Sequence, residues 1–400
     1  MGATSVECRV GLNWEVQSPK SKLLAGEYCL STGRLMFMSV KKTIYFCALL
    51  ICASFCAGLT SARAQAFVPM KGIYNGLFFE ADGFWEQSAG VISIFTTTRG
   101  YYSARLQIGW ARYGLSGQFD VDGKVSRVIL RRFQNPLTVE FQVDAGDPDL
   151  ITGSVTDGTW TADLIADRAV FDGRTSISPD AGQYTMVIPG DFTSTNTPGG
   201  ASFGIINIDK AGRIRFAASL ADGTRISQST TVSKGGQWPL YASLYWGDGA
   251  IFGWQLFNGS ANTDISGDVT WIRPRLRWAW YYPDGFAVIL SSTGSRYVRP
   301  PPGNKVLDLT TATIEFNGGN LDQGITNHVT LDSNNRIHNQ SANGLRLGFS
   351  LSNGSFSGIV MDPITWDWIP FRGVVLQKQG IAAGYFFGWD QTGEVWMQAE

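Results

Sequence analysis

The sequence predicts an all-β protein, made of tandem antiparallel β-barrel or barrel-like sandwich units that follow a cleaved signal peptide. Three observations support this fold class: twelve Asp-Gly or Asn-Gly dipeptides after Ala66, short runs rich in β-branched and aromatic residues between them, and little helical periodicity. A two-residue type I′ turn needs positive φ at both central residues, which Asn, Asp and Gly adopt at low cost. Such dipeptides between alternating apolar runs therefore predict β-hairpins, and their spacing is typical of sandwiches and up-and-down barrels.

The region before residue 67 differs from the rest of the chain. It holds all five cysteines and a long apolar run of 17 residues, Thr43 to Leu59. Two lysines precede the run and an Ala-x-Ala site ending at Ala66 follows it, which is the pattern of a secretory signal. We expect residues 38–66 to be a signal peptide and residues 1–37 to be a non-native or unstructured extension. The alternative is a single membrane anchor, for which the run is short, because a spanning helix needs about 20 residues.

Export and charge limit the partners of the remaining chain. Residues 67–400 carry 25 basic and 30 acidic side chains, a formal net charge of −5, and no cysteine. Packing alone must hold such a chain outside the cytoplasm, and its length can bury enough apolar surface to do so. The acidic balance argues against a nucleic-acid partner, whose phosphates require a concentrated basic face. We expect a periplasmic, cell-surface or extracellular location, membrane contact only through the export signal, and no cofactor.

Linker composition divides the exported part into three β units. Stretches rich in Gly, Ser, Pro and Asp near residues 173–182 and 299–304 separate units at 67–173, 182–298 and 304–400. The second and third units are alternatively one larger barrel. Weak internal repeats place a Gly inside several strand patterns, where it usually marks a bulge or a bend that lets a sheet close; these are Gly117, Gly153, Gly267 and Gly358.

Few residues suggest catalysis or metal binding. The two histidines, His328 and His338, lie in a polar stretch without the further ligands of a zinc site, and neither lies beside a recognisable catalytic partner. We therefore predict no metal site. Seven aspartates directly precede Gly and are explained as turn residues. Glu140 and Glu315 lie in strand-like runs and are the weak candidates for the acid and base of a glycoside hydrolase.

Aromatic residues are the better candidates for a binding site. Alternation from residue 273 to residue 282 predicts a strand with three arginines on one face and an apolar, aromatic face opposite. The simplest interpretation buries the aromatic face, whereas the alternative is an exposed platform for sugar rings or an anionic polymer. A second aromatic pair lies in a Pro-bounded segment near residue 367. The candidate ligand-binding residues are Trp278, Trp280, Tyr282, Trp366, Trp368, Arg275 and Arg277.

Three segments resemble parts of uncharacterised exported, β-rich modular proteins of bacteria. They are residues 370–388, 72–78 and 236–241, which read PFRGVVLQKQGIAAGYFFG, GIYNGLF and GQWPLY. The resemblance implies a chain of several β modules. It implies no activity, ligand or catalytic residue.

Three classes of function remain open at this point. The first is a non-enzymatic surface or extracellular binding or structural module whose partner is a polysaccharide or another cell-surface component. The second is a secreted polysaccharide hydrolase. The third is an outer-membrane β-barrel, although the chain ends on Gln-Ala-Glu rather than on an aromatic residue.

Overall fold

The computed structural model describes residues 67–81 and 85–400. The predicted extension at 1–37 and signal peptide at 38–66 lie outside the described residues. The predicted all-β class is confirmed, because this part of the chain contains 24 strands and two 3-10 turns but no α-helix. The turns are Glu86–Ser88 and Tyr245–Gly247. No helical segment within 67–81 and 85–400 has the length and apolar character needed to cross a membrane.

The strands form three antiparallel sheets of eight strands, which we call the first, second and third barrels. The first contains β1 Gly72–Phe79, β2 Gly90–Thr96, β3 Tyr101–Ile108, β4 Ala111–Gln118, β5 Lys124–Ile129, β6 Leu137–Val143, β7 Leu150–Thr156 and β8 Thr161–Arg168. The second contains β9 Gly182–Ile188, β10 Ser202–Ile208, β11 Arg213–Ser219, β12 Arg225–Thr231, β13 Gln237–Leu244, β14 Gly249–Phe257, β15 Ile265–Arg273 and β16 Phe286–Tyr297. The third contains β17 Thr311–Gly318, β18 Ile325–Leu331, β19 Ile337–Asn339, β20 Leu345–Ser350, β21 Ser355–Met361, β22 Trp368–Leu376, β23 Ile381–Phe387 and β24 Thr392–Ala399.

In all three sheets the first strand pairs with both the second and the eighth, so each sheet curls round on itself. The edges are the fourth and fifth strands in the first two barrels, and the third and fourth strands, β19 and β20, in the third barrel. In the first barrel, for example, Leu77 of β1 lies opposite Ile165 of β8. The sheets are therefore nearly closed, and residues 182–400 contain two separate sheets.

Alternation along the strands fills each barrel with apolar side chains. In β3, Tyr102, Ala104 and Leu106 point inward and are buried, while the residues between them face solvent. Edge-to-face aromatic contacts fill this interior. The ring centroid of Tyr102 lies 5.2 Å from that of Phe141 and 5.5 Å from that of Phe119. Burial of one such side chain contributes about 1.5–3 kcal/mol. The interior of this barrel is therefore a packed core.

Two of the predicted strand glycines lie where neighbouring strands come closest. A Cβ placed on Gly153 would overlap the carbonyl oxygen of Glu140, and one placed on Gly358 would overlap that of Arg346. A sheet can curl this sharply only where side chains do not intervene. These glycines allow the wall of the first and third barrels to bend.

Consecutive barrels pack against one another through apolar side chains. Leu77 of the first barrel packs with Tyr241 and Phe252 of the second, and the amide of Gly109 donates a hydrogen bond of 2.9 Å to the Tyr241 hydroxyl. Val187 of the second barrel packs with outward-facing residues of the third, including Val374, Leu376 and Ala383. These contacts bring turns of all three barrels close together.

Candidate functional site

The segment from Arg273 to Tyr282 is not the alternating strand that the sequence predicts. Strand β15 ends at Arg273, and residues 274–285 form a loop that leads to β16. Pro274 has no amide hydrogen and cannot extend the ladder, so the strand stops there. The prediction that three arginines share one face is therefore wrong: Arg273 is buried, whereas Arg275 and Arg277 are exposed.

Arg273 holds this loop from inside the barrel. Its Nη1 lies 2.5 Å from Asp222 Oδ2, and the two side chains are only 7% and 0% exposed. The same guanidinium donates through Nη2 to the carbonyl oxygen of Tyr281 at 2.9 Å and through Nε to that of Tyr282 at 3.3 Å. It also lies 4.7 Å from the centre of the Tyr245 ring. One buried cation thus joins the β11–β12 turn, the β13–β14 turn and the loop at 274–285.

Tyr245 completes this buried network. Its hydroxyl donates to Asp222 Oδ2 at 2.5 Å and accepts from Nε1 of Trp271 at 3.1 Å. Burial, followed by the neighbouring carboxylate of Asp222, raises the pKa of Tyr245. The hydroxyl therefore stays protonated and remains a donor to that carboxylate.

The loop also docks onto the third barrel. The Tyr281 hydroxyl donates to the carbonyl oxygen of Gly388 at 2.9 Å, and the Tyr282 hydroxyl lies 2.8 Å from Thr392 Oγ1. The indole of Trp280 donates to the carbonyl oxygen of Trp389. Tyr282 is buried by these contacts and positions the loop, and its role in ligand binding stays a prediction.

Five exposed tryptophans lie on connecting turns and loops of three barrels, four of them in two ring pairs, and we call this set the tryptophan ridge. The rings of Trp246 and Trp278 have centroids 5.4 Å apart, as do those of Trp280 and Trp389. Trp278 and Trp280 are two residues apart in the same loop. The backbone of Trp110 lies against Gly247, the residue that follows Trp246. A Cβ added to Gly247 would be 3.3 Å from the backbone nitrogen of Trp110. The ridge side chains are 59% to 73% exposed and are Trp110, Trp246, Trp278, Trp280 and Trp389.

The ridge includes a strained turn. Tyr245 and Trp246 have φ angles of 49° and 61°, in the left-handed region that residues with a side chain seldom adopt. Such conformations cost about 1–3 kcal/mol each and persist only where surrounding contacts hold them. Here the buried hydroxyl of Tyr245 supplies those contacts, and the result is an indole turned outward towards Trp278.

Three ridge residues are not among the candidate ligand-binding residues identified from the sequence. Trp110, Trp246 and Trp389 each lie next to a glycine in a tight connection between two strands, at Gly109, Gly247 and Gly388. A tryptophan beside a turn glycine is a signal that the side chain leaves the sheet. The sequence does not show that these three turns meet, since they belong to different barrels.

Trp366 and Trp368 lie in the third barrel but outside the ridge. Trp366 has a φ of 63° in the β21–β22 turn and is 70% exposed, and Trp368 begins β22 and is 47% exposed. Alternate turns of an antiparallel meander lie at the same end of a sheet, so this turn and the Trp389 turn share one end of the barrel. Neither ring stacks on a ridge ring within residues 67–81 and 85–400.

The two arginines predicted to bind a ligand, Arg275 and Arg277, differ in whether they form an ion pair. Arg275 lies 3.1 Å from Asp284 in an ion pair whose side chains are 60% and 82% exposed. Arg277 is also exposed, next to Trp278, and forms no ion pair with any described residue. Both guanidinium groups therefore lie in the loop that carries two ridge tryptophans.

The two candidate catalytic glutamates are on different barrels. Glu140 lies on β6 and accepts a hydrogen bond of 2.9 Å from Ser126, whereas Glu315 lies on β17. They are not brought together as an acid/base pair. The carboxylate that interacts with Glu315 is Glu394 on β24, whose pKa is raised to about 7 by burial and then by the charge of Glu315. In the described part of the chain, no three His, Cys, Asp or Glu side chains are grouped to hold a metal ion.

Replacing Glu394 by Gln should stabilise the protein at alkaline pH. Because the folded pKa of about 7 exceeds the ordinary glutamate pKa of 4.5, the folded state loses stability as pH rises between these two values. With a discount for partial exposure, we expect Glu394→Gln to be more stable by about 1–2 kcal/mol at pH 8 and nearly equal at pH 4. Urea unfolding at both pH values tests this, with Glu140→Gln as the control. An equal effect of Glu394→Gln at pH 4 and pH 8 would contradict the assignment.

Comparisons with known proteins do not identify this chain. No protein-family model matches it, and no curated protein does. Among solved structures, intact Ap-TbpB with its N and C lobes aligns over 82% of this chain and 77% of its own, with 8% identity and a TM-score of 0.22. The endo-1,5-alpha-L-arabinanase from Thermotoga petrophila aligns over 81% and 82%, with 11% identity and a TM-score of 0.21. Scores this low do not establish a shared fold.

Proposed function

We propose that this protein is exported and acts as a non-catalytic carbohydrate-binding protein, with the tryptophan ridge as its binding surface. The observation that carries the proposal is the set of five exposed tryptophans contributed by three barrels, four of them in two ring pairs. Singly exposed apolar side chains are common on protein surfaces, but clustered apolar side chains usually mark an interaction site. Indoles distributed over the connections of three barrels suit an elongated ligand.

The chemistry of indole favours a sugar ring as the ligand. A pyranose ring presents C–H groups on its flat faces and hydroxyl groups around its rim. The negative π face of tryptophan attracts such C–H groups, while the indole edge and nearby polar groups reach the hydroxyls. Arg275 and Arg277, in the loop that carries Trp278 and Trp280, supply guanidinium donors beside the ridge.

The support beneath the ridge favours binding without rearrangement. Arg273 clamps the loop from one side, and Tyr281 and Tyr282 fix it to the third barrel from the other. Because these side chains are already ordered, binding a ligand costs less conformational entropy than binding to a mobile loop. We therefore expect the ridge to bind as a preformed platform.

Substitutions in the ridge should weaken polysaccharide binding. We expect Trp278→Ala, Trp280→Ala and Trp246→Gly each to lower affinity by about 10- to 30-fold, the size expected for an aromatic hot spot. Glycine replaces Trp246 because it accepts the φ of 61° at that position. Binding is measured by affinity electrophoresis against soluble xylan, hydroxyethylcellulose, dextran, polygalacturonate, alginate and dextran sulfate.

A matched control distinguishes binding at the ridge from nonspecific binding by any exposed aromatic side chain. Phe133 is 91% exposed in the β5–β6 turn and has φ of 60°, but it is not part of the ridge. Phe133→Gly should leave the affinity unchanged, and circular dichroism should show that every variant retains its β structure. Absence of binding to every polymer, or binding that the three ridge substitutions leave intact, would refute the proposed function.

A further inference from the structure

Three grooves follow one another along the sides of the barrels. A cleft of about 800 Å³ separates the first and second barrels. It shares Ser227, Gln228 and Ser229 with a groove of about 440 Å³ on the outer face of β10–β12. A third groove of about 790 Å³ lies on β20–β22 and reaches Phe203, which precedes Ile205 of the second groove by two residues on β10. The three grooves therefore adjoin one another, and together we call them the path.

Among the described residues that line this path, arginine is the only charged type. The cleft has three, the second groove one and the third groove two, and no carboxylate lines any of them. None of the six forms an ion pair with a described residue, although eight ion pairs occur elsewhere in that part of the chain. The six are Arg105, Arg112, Arg225, Arg215, Arg346 and Arg372.

This arrangement is a local exception to the charge of the chain. Residues 67–400 have a formal net charge of −5, so a path with six unpaired cations does not reflect average composition. Like charges along a cleft repel one another and raise the local potential, because low-dielectric walls focus the field. A guanidinium binds a carboxylate or a sulfate through two parallel hydrogen bonds. The path is thus complementary to a chain that carries anionic groups at intervals.

The cleft between the first two barrels also offers polar groups for an uncharged part of the ligand. Asn75, Gln107 and Ser229 lie in its wall, and the hydroxyl oxygen of Ser243 is buried there without a hydrogen-bond partner among the described residues. Buried polar atoms in native proteins nearly always have a partner. An unpartnered hydroxyl in the wall of a cleft is consistent with a hydroxyl-bearing ligand.

Trp110 connects this path to the tryptophan ridge. It lines the cleft beside Arg112 and Tyr113, and its backbone lies against Gly247, next to ridge residue Trp246. We propose that the polysaccharide is acidic, with its carboxylate or sulfate groups bound by the arginines of the path; this rests on the proposed function of the ridge. A nucleic acid is disfavoured, because the acidic remainder of the surface repels a ligand with such dense phosphates.

The proposal is tested by a charge-matched pair of triple variants. In the first, Arg105, Arg112 and Arg225 of the cleft are replaced by Gln. In the control, Arg99, Arg132 and Arg174 are replaced by Gln; these are exposed arginines outside the path that form no ion pair with described residues. Both variants change the net charge equally, so any difference between them reports on position.

We expect the wild-type chain to bind polygalacturonate or dextran sulfate at least tenfold more tightly than neutral xylan at low salt. The cleft variant should lose this preference and the control should keep it. Added salt should weaken acidic binding, since it screens charges beyond about 10 Å at 0.1 M. Equal binding of the acidic polymers by both variants, or tighter binding of single-stranded oligothymidylate than of either acidic polymer, would overturn the acidic assignment.

The outcomes also separate this inference from the proposed function. Suppose that neutral and acidic polymers bind equally tightly and that the ridge substitutions abolish this binding. This result would support the ridge as a carbohydrate-binding surface and refute the preference for acidic polysaccharides. Acidic binding that depends on the cleft arginines but not on Trp278, Trp280 or Trp246 would support the cleft and refute the ridge.

Discussion

Arg273→Met should lower the free energy of unfolding by about 3–5 kcal/mol and also weaken polysaccharide binding. Methionine keeps much of the volume but removes the cation, which leaves the fully buried carboxylate of Asp222 without its partner. Breaking a buried pair by removing one member costs this much because the remaining charge is uncompensated. Binding falls as well, because the carbonyl groups of Tyr281 and Tyr282 lose the donor that holds the loop.

Urea unfolding and affinity electrophoresis measure the two effects of Arg273→Met separately. Adding Asp222→Asn removes the unpaired charge, so the double variant should regain part of the stability while its loop remains loose and its binding weak. Arg275→Met is the control, because its pair with Asp284 is exposed and surface pairs contribute about 0–1 kcal/mol. If Arg273→Met and Arg275→Met are equally stable, Arg273 does not hold the loop as described.

Gly358→Ala should destabilise the third barrel by about 3 kcal/mol. The added methyl would overlap the carbonyl oxygen of Arg346 on the paired strand, so the backbone must shift and the wall must open. Overpacking of this kind typically costs about 1–3 kcal/mol, and backbone contacts give way less readily than side-chain ends.

Gly348→Ala is the matched control for that substitution. Gly348 lies on the neighbouring strand β20, and a Cβ there would meet no atom within 4 Å. We expect it to be neutral or slightly stabilising, because alanine reduces the entropy of the unfolded chain. Thermal unfolding followed by circular dichroism measures both variants. Similar transitions for the two would show that the glycine does not set the curvature of the wall.

The hairpin turns were the most predictable feature of the fold. Asp157-Gly158, Asp222-Gly223 and Asn353-Gly354 each connect consecutive strands, and each glycine has positive φ. Strands with one apolar face were predicted as well, because alternation reflects a core on one side. Strand β12 is not predictable in this way, because only Ile226 of its seven residues is buried and its sequence carries no apolar alternation.

The candidate site was predictable only in part. Trp278 and Trp280 are identifiable from their own segment, but the alternation there predicts a strand, whereas β15 ends at Arg273 before Pro274. The clamp by Arg273 depends on Asp222, which is 51 residues away in the sequence. Likewise, Trp110 and Trp389 join the ridge through packing between barrels, and no local pattern encodes that packing.

Residue-level protection of the indoles tests the ridge most directly. The purified chain is oxidised briefly with N-bromosuccinimide, with and without the polysaccharide that binds best in the panel, and the modified tryptophans are located by mass spectrometry. The ligand should slow oxidation of Trp246, Trp278, Trp280 and Trp389 at least severalfold. Oxidation of these four residues at the same rate with and without saturating polysaccharide would contradict a sugar chain lying along the ridge.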